Sequence, residues 1–177
     1  NNIGIALQRQ GKREEAIEAL NKALSINPNY PEAYLNLGKA LKGVVFNKPN
    51  KVLQQLITVI LDKQIVRPKD IAKAATSLLK LEPKLRRHLQ LLDTELIETP
   101  LDVISDLFEF PLLLKLMNIS PIPDLELEKL FTHLRLSITS SIFEIKRASP
   151  ELLKFQSALA LQCFTNEYIY NQTGKER

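Results

Sequence analysis

Between residues 44 and 173 this 177-residue chain has no glycine; its five glycines are Gly4, Gly11, Gly38, Gly43 and Gly174. A phosphate loop, the turn of a dinucleotide site or a similar backbone cradle uses glycine for positive φ or for close approach to the ligand. Such constructions are excluded from that stretch. Proline does the punctuating there instead, at places where a helix can begin, since the first turn has no partner for the N–H that proline lacks. Pro68 leads into Ile71, Ala74, Ala75, Leu78 and Leu79, and Pro83 into Leu85, Leu89 and Leu92. Thr99-Pro100-Leu101-Asp102 reads as a cap, a first-turn proline and an early carboxylate ahead of Val103, Ile104, Leu107 and Phe108. Pro123-Asp124 opens a helix with Leu127, Leu130, Phe131, Leu134 and Ile138 on one stripe, ending near Ser137 to Ser141. Ser149-Pro150-Glu151 opens the last helix, predicted to run to about Tyr170. An earlier helix, from about Asn50 to Lys63, is carried by Val52, Leu53, Leu56, Ile57, Ile60 and Leu61. No run alternates as a strand does. The spacing predicts an all-α chain with short connections and antiparallel neighbours. At 45% hydrophobic and 25% charged residues it can bury an aliphatic core without metal or disulfide.

Gly4 and Gly38 stand 34 residues apart. Ile3, Gly4, Leu7, Gly11 at an inter-helix turn, Ala16, Leu20, Ala23 and Pro28 follow as the small and large positions of a helix-turn-helix repeat. Tyr34, Leu37, Gly38 and Leu41 restart it. Small residues let two antiparallel helices approach, Leu20 and Tyr34 fill the space between successive pairs, and Pro28 stops the second helix. In these residues the chain resembles tetratricopeptide (TPR) repeat proteins. In the repeat's frame it opens at the fifth position of one unit, and Val45 and Asp62 stand where the next unit wants its turn glycine and closing proline. Residues 1–43 are therefore expected to be the C-terminal end of a TPR array from a longer protein, and residues 44–177 an α-helical domain. The resemblance implies a protein or peptide ligand on the concave face formed by the first helix of each repeat. That face would show Ile5, Gln8, Arg9, Leu35, Asn36, Lys39 and Lys42; the alternative is that these side chains are simply solvated. Asn36 matches the asparagine of a chaperone-type carboxylate clamp, but Asn1 and Ile5 stand where that clamp wants a lysine and a second asparagine.

Chemistry-bearing residues are few. Cys163 has no partner for an intrachain disulfide, and with only His88 and His133 beside it there is no zinc-ligand spacing. A thiol inside an apolar helix is expected to be buried and structural, so no catalytic residue is assigned. The two histidines are expected on a helix surface or satisfied in the core. A single cysteine fits a reducing, cytoplasmic setting, and no apolar run reaches the roughly 18 residues of a membrane span.

Charge is uneven. Lys63 to Arg87 holds eight Lys or Arg against Asp70 and Glu82, a net +6, while Asp93 to Glu128 holds nine carboxylates against Lys115, a net −8. The basic stretch 63–87 offers Lys69, Lys73, Lys80, Lys84, Arg86 and Arg87 to phosphates, which makes an RNA- or DNA-binding helical module the alternative function. The missing aromatics, the acidic neighbour and an overall charge of only +4 speak against it. Internal counter-charge is expected instead, with some of Lys69, Lys73, Lys80, Lys84 and Arg87 near Asp102, Asp106, Glu109 and Glu126.

The last helix is apolar on two sides, with Leu152, Phe155, Leu159 and Cys163 on one stripe and Leu153, Ala160, Phe164 and Tyr168 on another. Gln162, Asn166 and Tyr170 make a polar stripe between them, read either as internal hydrogen bonding or as contact with a partner domain. The string Ser157-Ala158-Leu159-Ala160-Leu161-Gln162-Cys163-Phe164-Thr165-Asn166-Glu167-Tyr168 looks like part of a known bacterial family. So do Arg67-Pro68-Lys69-Asp70-Ile71-Ala72 and Pro100-Leu101-Asp102-Val103-Ile104-Ser105-Asp106-Leu107. In that family a TPR array precedes a helical segment and a class I S-adenosylmethionine-dependent methyltransferase domain. The resemblance places this chain ahead of the catalytic domain, so it implies interaction and positioning rather than catalysis, with S-adenosylmethionine bound only in the parent protein.

Overall fold

Six of the ten prolines, at positions 31, 68, 83, 100, 111 and 150, are the first residue of an α-helix in the computed structural model, which describes residues 1–92, 99–140 and 149–165. Every regular element among the described residues is an α-helix, as the spacing predicts. The chain divides into two compact units, Asn1–Leu78 and Leu79–Arg177.

In the first unit α1 (Asn2–Arg9), α2 (Arg13–Ile26), α3 (Pro31–Leu41) and α4 (Lys51–Asp62) pack each on the next, and α5 (Pro68–Leu79) follows. A Cβ on Gly4 would lie 2.6 Å from Leu20 Cγ and 3.3 Å from the Ala16 carbonyl oxygen, so α1 and α2 meet with no room for a side chain. Gly38 is equally crowded, but by Val66 of the α4–α5 connection, whose Cγ1 would stand 2.6 Å from an added Cβ. Leu20, Tyr34, Leu37 and Leu41 are buried around these contacts. One period after Arg13 the next second helix would open at residue 47; α4 instead opens at Lys51. The intervening connection holds Gly43 at φ +74° and is tied down where the Phe46 N–H donates to Ser77 Oγ at 3.0 Å. Asn50 caps α4, its Oδ1 accepting the Leu53 N–H at 2.9 Å. α3 is thus followed by a helix that opens four residues later than a 34-residue frame would place it.

Two helix ends in this unit use one device with different residues. At the end of α1 the Gly11 N–H donates to the Gln8 carbonyl (3.1 Å) and the Lys12 N–H to the Leu7 carbonyl (3.0 Å), with Gly11 at φ +79°. At the end of α4 the Gln64 N–H donates to Leu61 (3.2 Å) and the Ile65 N–H to Ile60 (3.1 Å), with Gln64 at φ +52°. Both are Schellman closures, and the second carries a side chain in the left-handed region, at a cost of roughly 1 kcal/mol.

The second unit holds α6 (Pro83–Leu91), α7 (Pro100–Phe108), α8 (Pro111–Ile119), α9 (Leu125–Ser140) and α10 (Pro150–Thr165). α10 packs on α7 and α8, and α9 on α6 and α7. The predicted α9 stripe of Leu127, Leu130, Phe131, Leu134 and Ile138 is buried throughout. Thr99 caps α7 through the Asp102 N–H, and Ser149 caps α10 through the Leu152 N–H. The spacing did not predict α8. Its sequence is apolar on nearly every side and its N-cap is Phe110, without a side-chain cap, so neither periodicity nor a start signal marks it beyond Pro111.

One polar side chain closes this core. Gln162 is fully buried on α10. Its Nε2 donates to the carbonyls of Met117 and Ser120, both at 2.7 Å, which the end of α8 leaves unpaired. Its Oε1 accepts the Ile122 N–H at 3.0 Å. Since Pro121 and Pro123 have no N–H, Ile122 is the one backbone donor across those three residues, and Gln162 takes it.

Gln64→Gly is expected to raise the unfolding free energy by about 0.5–1 kcal/mol, because it removes the left-handed penalty and leaves both closing bonds. Gln162→Leu is expected to lower it by about 2–5 kcal/mol, since one substitution orphans a buried N–H and two carbonyls. Urea denaturation of both variants checks the pair; a neutral Gln162→Leu would show that water replaces the amide.

Candidate functional site

The residues expected on the concave repeat face come from α1 and α3, whose placement rests on the Gly4 contact and on the buried Leu20 and Tyr34. Arg9, Leu35, Lys39 and Lys42 are exposed, and Ile5, Gln8 and Asn36 half-buried. Two of the seven are engaged within the unit. The Asn36 amide donates to Asn1 Oδ1 at 2.9 Å, and Asn1 Nδ2 donates to the Tyr30 hydroxyl at 3.1 Å. The Lys42 ammonium sits 3.3 Å from Asp70, whose other oxygen accepts from Arg67 Nε at 3.1 Å. Burial alone would raise the Asp70 pKa, but the Arg67 and Lys42 cations overcome it and hold the carboxyl below its ordinary value. Arg9, Leu35 and Lys39 are exposed, and neither Arg9 nor Lys39 makes an ion pair among the described residues. Lys63 places its ammonium 5.2 Å from the centroid of the buried Tyr34 ring. The Arg67–Asp70 pair had a local signal in its i, i+3 spacing; Lys42–Asp70 had none.

The polar stripe of the last helix needs correction. Gln162 faces the interior and spends its three hydrogen bonds there, so it is no partner contact. Asn166 and Tyr170 lie outside the described residues. The second apolar stripe is the outward one: Leu153 is 53% exposed and Phe164 70%, with Ala160 and Leu161 exposed between them.

Cys163 is half-buried rather than buried, with Arg135 Nη1 3.7 Å from its sulfur. His133 is exposed, whereas His88 is buried with Nε2 3.0 Å from Asp106 Oδ2. Among the described residues no group of three or more His, Cys, Asp or Glu is placed to hold a metal ion. No helix among them is long and apolar enough to cross a membrane.

Part of the basic stretch is counter-charge within the second unit. Lys84 lies 2.9 Å from Asp106 and 2.7 Å from Glu109, and Lys80 lies 3.0 Å from Asp124 and 2.7 Å from Glu126. Glu109 and Asp106 raise the Lys84 pKa; Lys84 first, and His88 after it, lower that of Asp106 against the opposing effect of burial. Burial would lower the Lys80 pKa, but Glu126 and Asp124 raise it. Asp124 also accepts the N–H groups of Glu126 and Leu127 at 3.2 Å, so one carboxylate both caps α9 and binds Lys80. Asp102, expected among the partners, instead accepts from the Thr99 hydroxyl. Lys69 and Lys73 are exposed on α5.

Compared with known proteins, residues 1–44 match the TPR repeat family model. No curated protein and no solved structure matches the chain. The N-terminal segment thus matches a TPR repeat, a kind of segment that serves protein–protein interaction.

The lowered Asp106 pKa gives a stability contribution that is full above the ordinary carboxylate value and is lost as pH falls through the lower folded value. The melting temperature is therefore expected to drop more steeply below about pH 4 in the native chain than in Asp106→Asn. Thermal melts from pH 7 to pH 3 check this, and parallel curves would remove Lys84–Asp106 from the account.

Proposed function

We propose that this chain is a protein-interaction and positioning module: α1 and α3 present a peptide-binding face, and residues 44–177 form the non-catalytic helical segment of a bacterial, cytoplasmic S-adenosylmethionine-dependent methyltransferase. The observation that carries the interaction half is the exposure of Arg9 on α1 and of Leu35 and Lys39 on α3, within the segment that matches a TPR repeat. The methyltransferase half is supported by the resemblance of two strings that fall on packed helices of the second unit. Pro100–Leu107 lies in the capped α7 and Ser157–Thr165 in α10, which packs on α7. The outward stripe of Leu153, Ala160, Leu161 and Phe164 is the surface an appended catalytic domain would cover, in place of Gln162. Glycine-free residues 44–173 give S-adenosylmethionine no backbone cradle, so the cofactor belongs to the appended domain. Nucleic-acid binding is the weaker reading, because Lys80 and Lys84 are already held by four carboxylates.

Two measurements test the proposal. Calorimetry of the chain with S-adenosylmethionine is expected to show no micromolar binding. A peptide array probed with the chain is expected to give ligands whose affinity falls about tenfold with Lys39→Glu or Leu35→Asp, at unchanged melting temperature. Micromolar cofactor binding would sink the positioning role, and ligands indifferent to both substitutions would sink the concave-face assignment.

A further inference from the structure

The chain's positive charge is gathered on the first unit. Residues 1–78 hold twelve Lys or Arg against six Asp or Glu, a net +6 in a protein whose overall charge is +4. The α4–α5 connection brings part of it alongside α3 in three successive contacts: the Lys63 ammonium on the Tyr34 ring, Val66 against Gly38, and Asp70 3.3 Å from Lys42. Tyr34, Gly38 and Lys42 are spaced i, i+4 and i+8, which is one side of α3. Asn36 is turned the other way, to Asn1 ahead of α1. Leu35 and Lys39, at i and i+4, stand on the open side between the two, and both are exposed.

At the end of this open side four cations share one carboxylate. Asp70 lies 3.3 Å from Lys42 and 3.1 Å from Arg67 Nε, and Arg13 Nη1 donates to the Lys42 carbonyl at 3.4 Å. Lys39 comes one turn before Lys42, and neither Lys39 nor Arg13 makes an ion pair among the described residues. Besides Asp70, the charge opposing them is Glu14, the residue after Arg13, and the carbonyl end of α3, worth about half a negative charge. Glu15 is 3.8 Å from Lys12, while Glu32 and Asp62 belong to the opposite end of this side, marked by Tyr34 and Lys63. The cations remain in excess. Asp70 also shows the kind of group that fits among them, a carboxylate held between cations of two different elements.

We infer that the partner of the repeat face is an acidic extended peptide, with an apolar residue on Leu35 and Asp or Glu side chains at Lys39, Lys42 and Arg67. The inference rests on the peptide-binding reading above and adds to it the charge of the ligand. Arg67 belongs to the α4–α5 connection, outside the residues that the repeat register names, so this recognition is not a property of the repeat alone. Asp70, already seated between Lys42 and Arg67, competes with the ligand's own carboxylates. The groups recognised are side chains within the peptide, since Asn1 and Ile5 leave no clamp for a chain terminus. A polyanion without apolar groups would leave Leu35 uncovered.

The peptide array supplies the probe: its strongest ligand, labelled with fluorescein, is titrated with the full chain by fluorescence anisotropy in about 50 mM salt. The array's ligands are expected to be net negative, and changing every Asp and Glu of the probe to Asn and Gln to weaken it about tenfold or more. Arg67→Gln is expected to weaken the unchanged probe about threefold or more, and Asp70→Asn to tighten it by about the same factor, a gain that misfolding cannot produce. Lys51→Glu, at the other end of α4 from Lys63, and amidation of the probe's C-terminus are expected to leave binding as it was. An array without ligands overturns the peptide-binding reading itself. Ligands that respond to Leu35→Asp but are neutral or basic, or that ignore both Arg67→Gln and Asp70→Asn, overturn this inference alone. So does a mixed-sequence single-stranded RNA oligonucleotide that binds the chain more tightly than the probe and displaces it.

Discussion

Every helix leaves backbone N–H groups unpaired at its start and carbonyls at its end, and a chain of short helices meets that problem at each junction. Here proline removes one of the unpaired donors at six helix starts, and Asn50, Thr99, Asp124 and Ser149 satisfy others. The carbonyl ends are harder, because glycine, the usual residue for the left-handed closing position, is missing from residue 44 to residue 173. Two glutamines take its place in different ways. Gln64 adopts the left-handed conformation itself, and Gln162 reaches from α10 to the open end of α8. Most of the packing described above follows from where these ends are closed.

The two units handle polar groups accordingly. In the first, Asn1, Tyr30 and Asn36 form a chain of hydrogen bonds across α1 and α3, and Lys42, Asp70 and Arg67 form another cluster. Both draw residues of the repeat register, Asn36 and Lys42, into internal contacts. In the second, Asp124 and Asp106 each serve more than one partner, so Lys80 and Lys84 of the basic stretch tie the α6 region to α7 and to the start of α9.

Much of this was legible in the residues. The helices beginning at Lys51, Pro68, Pro83, Pro100, Leu125 and Pro150 each had a cap, a first-turn proline or a clean apolar stripe, and α9 buries the five residues its period names. α8 was not legible, because a nine-residue helix whose only polar residues are Lys115 and Asn118 has no continuous polar side from which to read a period. The long connection before α4 put that helix out of a fixed 34-residue frame. Register could place Lys42 and Asn36 on the concave face, but not show that Asp70 and Asn1 engage them, since those partners stand 28 and 35 residues away in sequence. The side taken by Gln162 was undecidable for the same reason: both flanks of α10 are apolar, and only the open end of α8 says which is inward.

The reach of Gln162 also orders the birth of the molecule. Its partners lie 40 to 45 residues earlier in the chain, whereas in the first unit α1, α2, α3 and α4 each pack on the next. Contacts between sequence neighbours form early and cheaply, and distant ones wait for the loop between them to close. On a ribosome adding about 5–20 residues per second, the repeat helices can settle as they emerge, but the end of α8 stays open for several seconds until α10 leaves the exit tunnel. During that interval the apolar residues of α8 lack the cover that α10 later gives them.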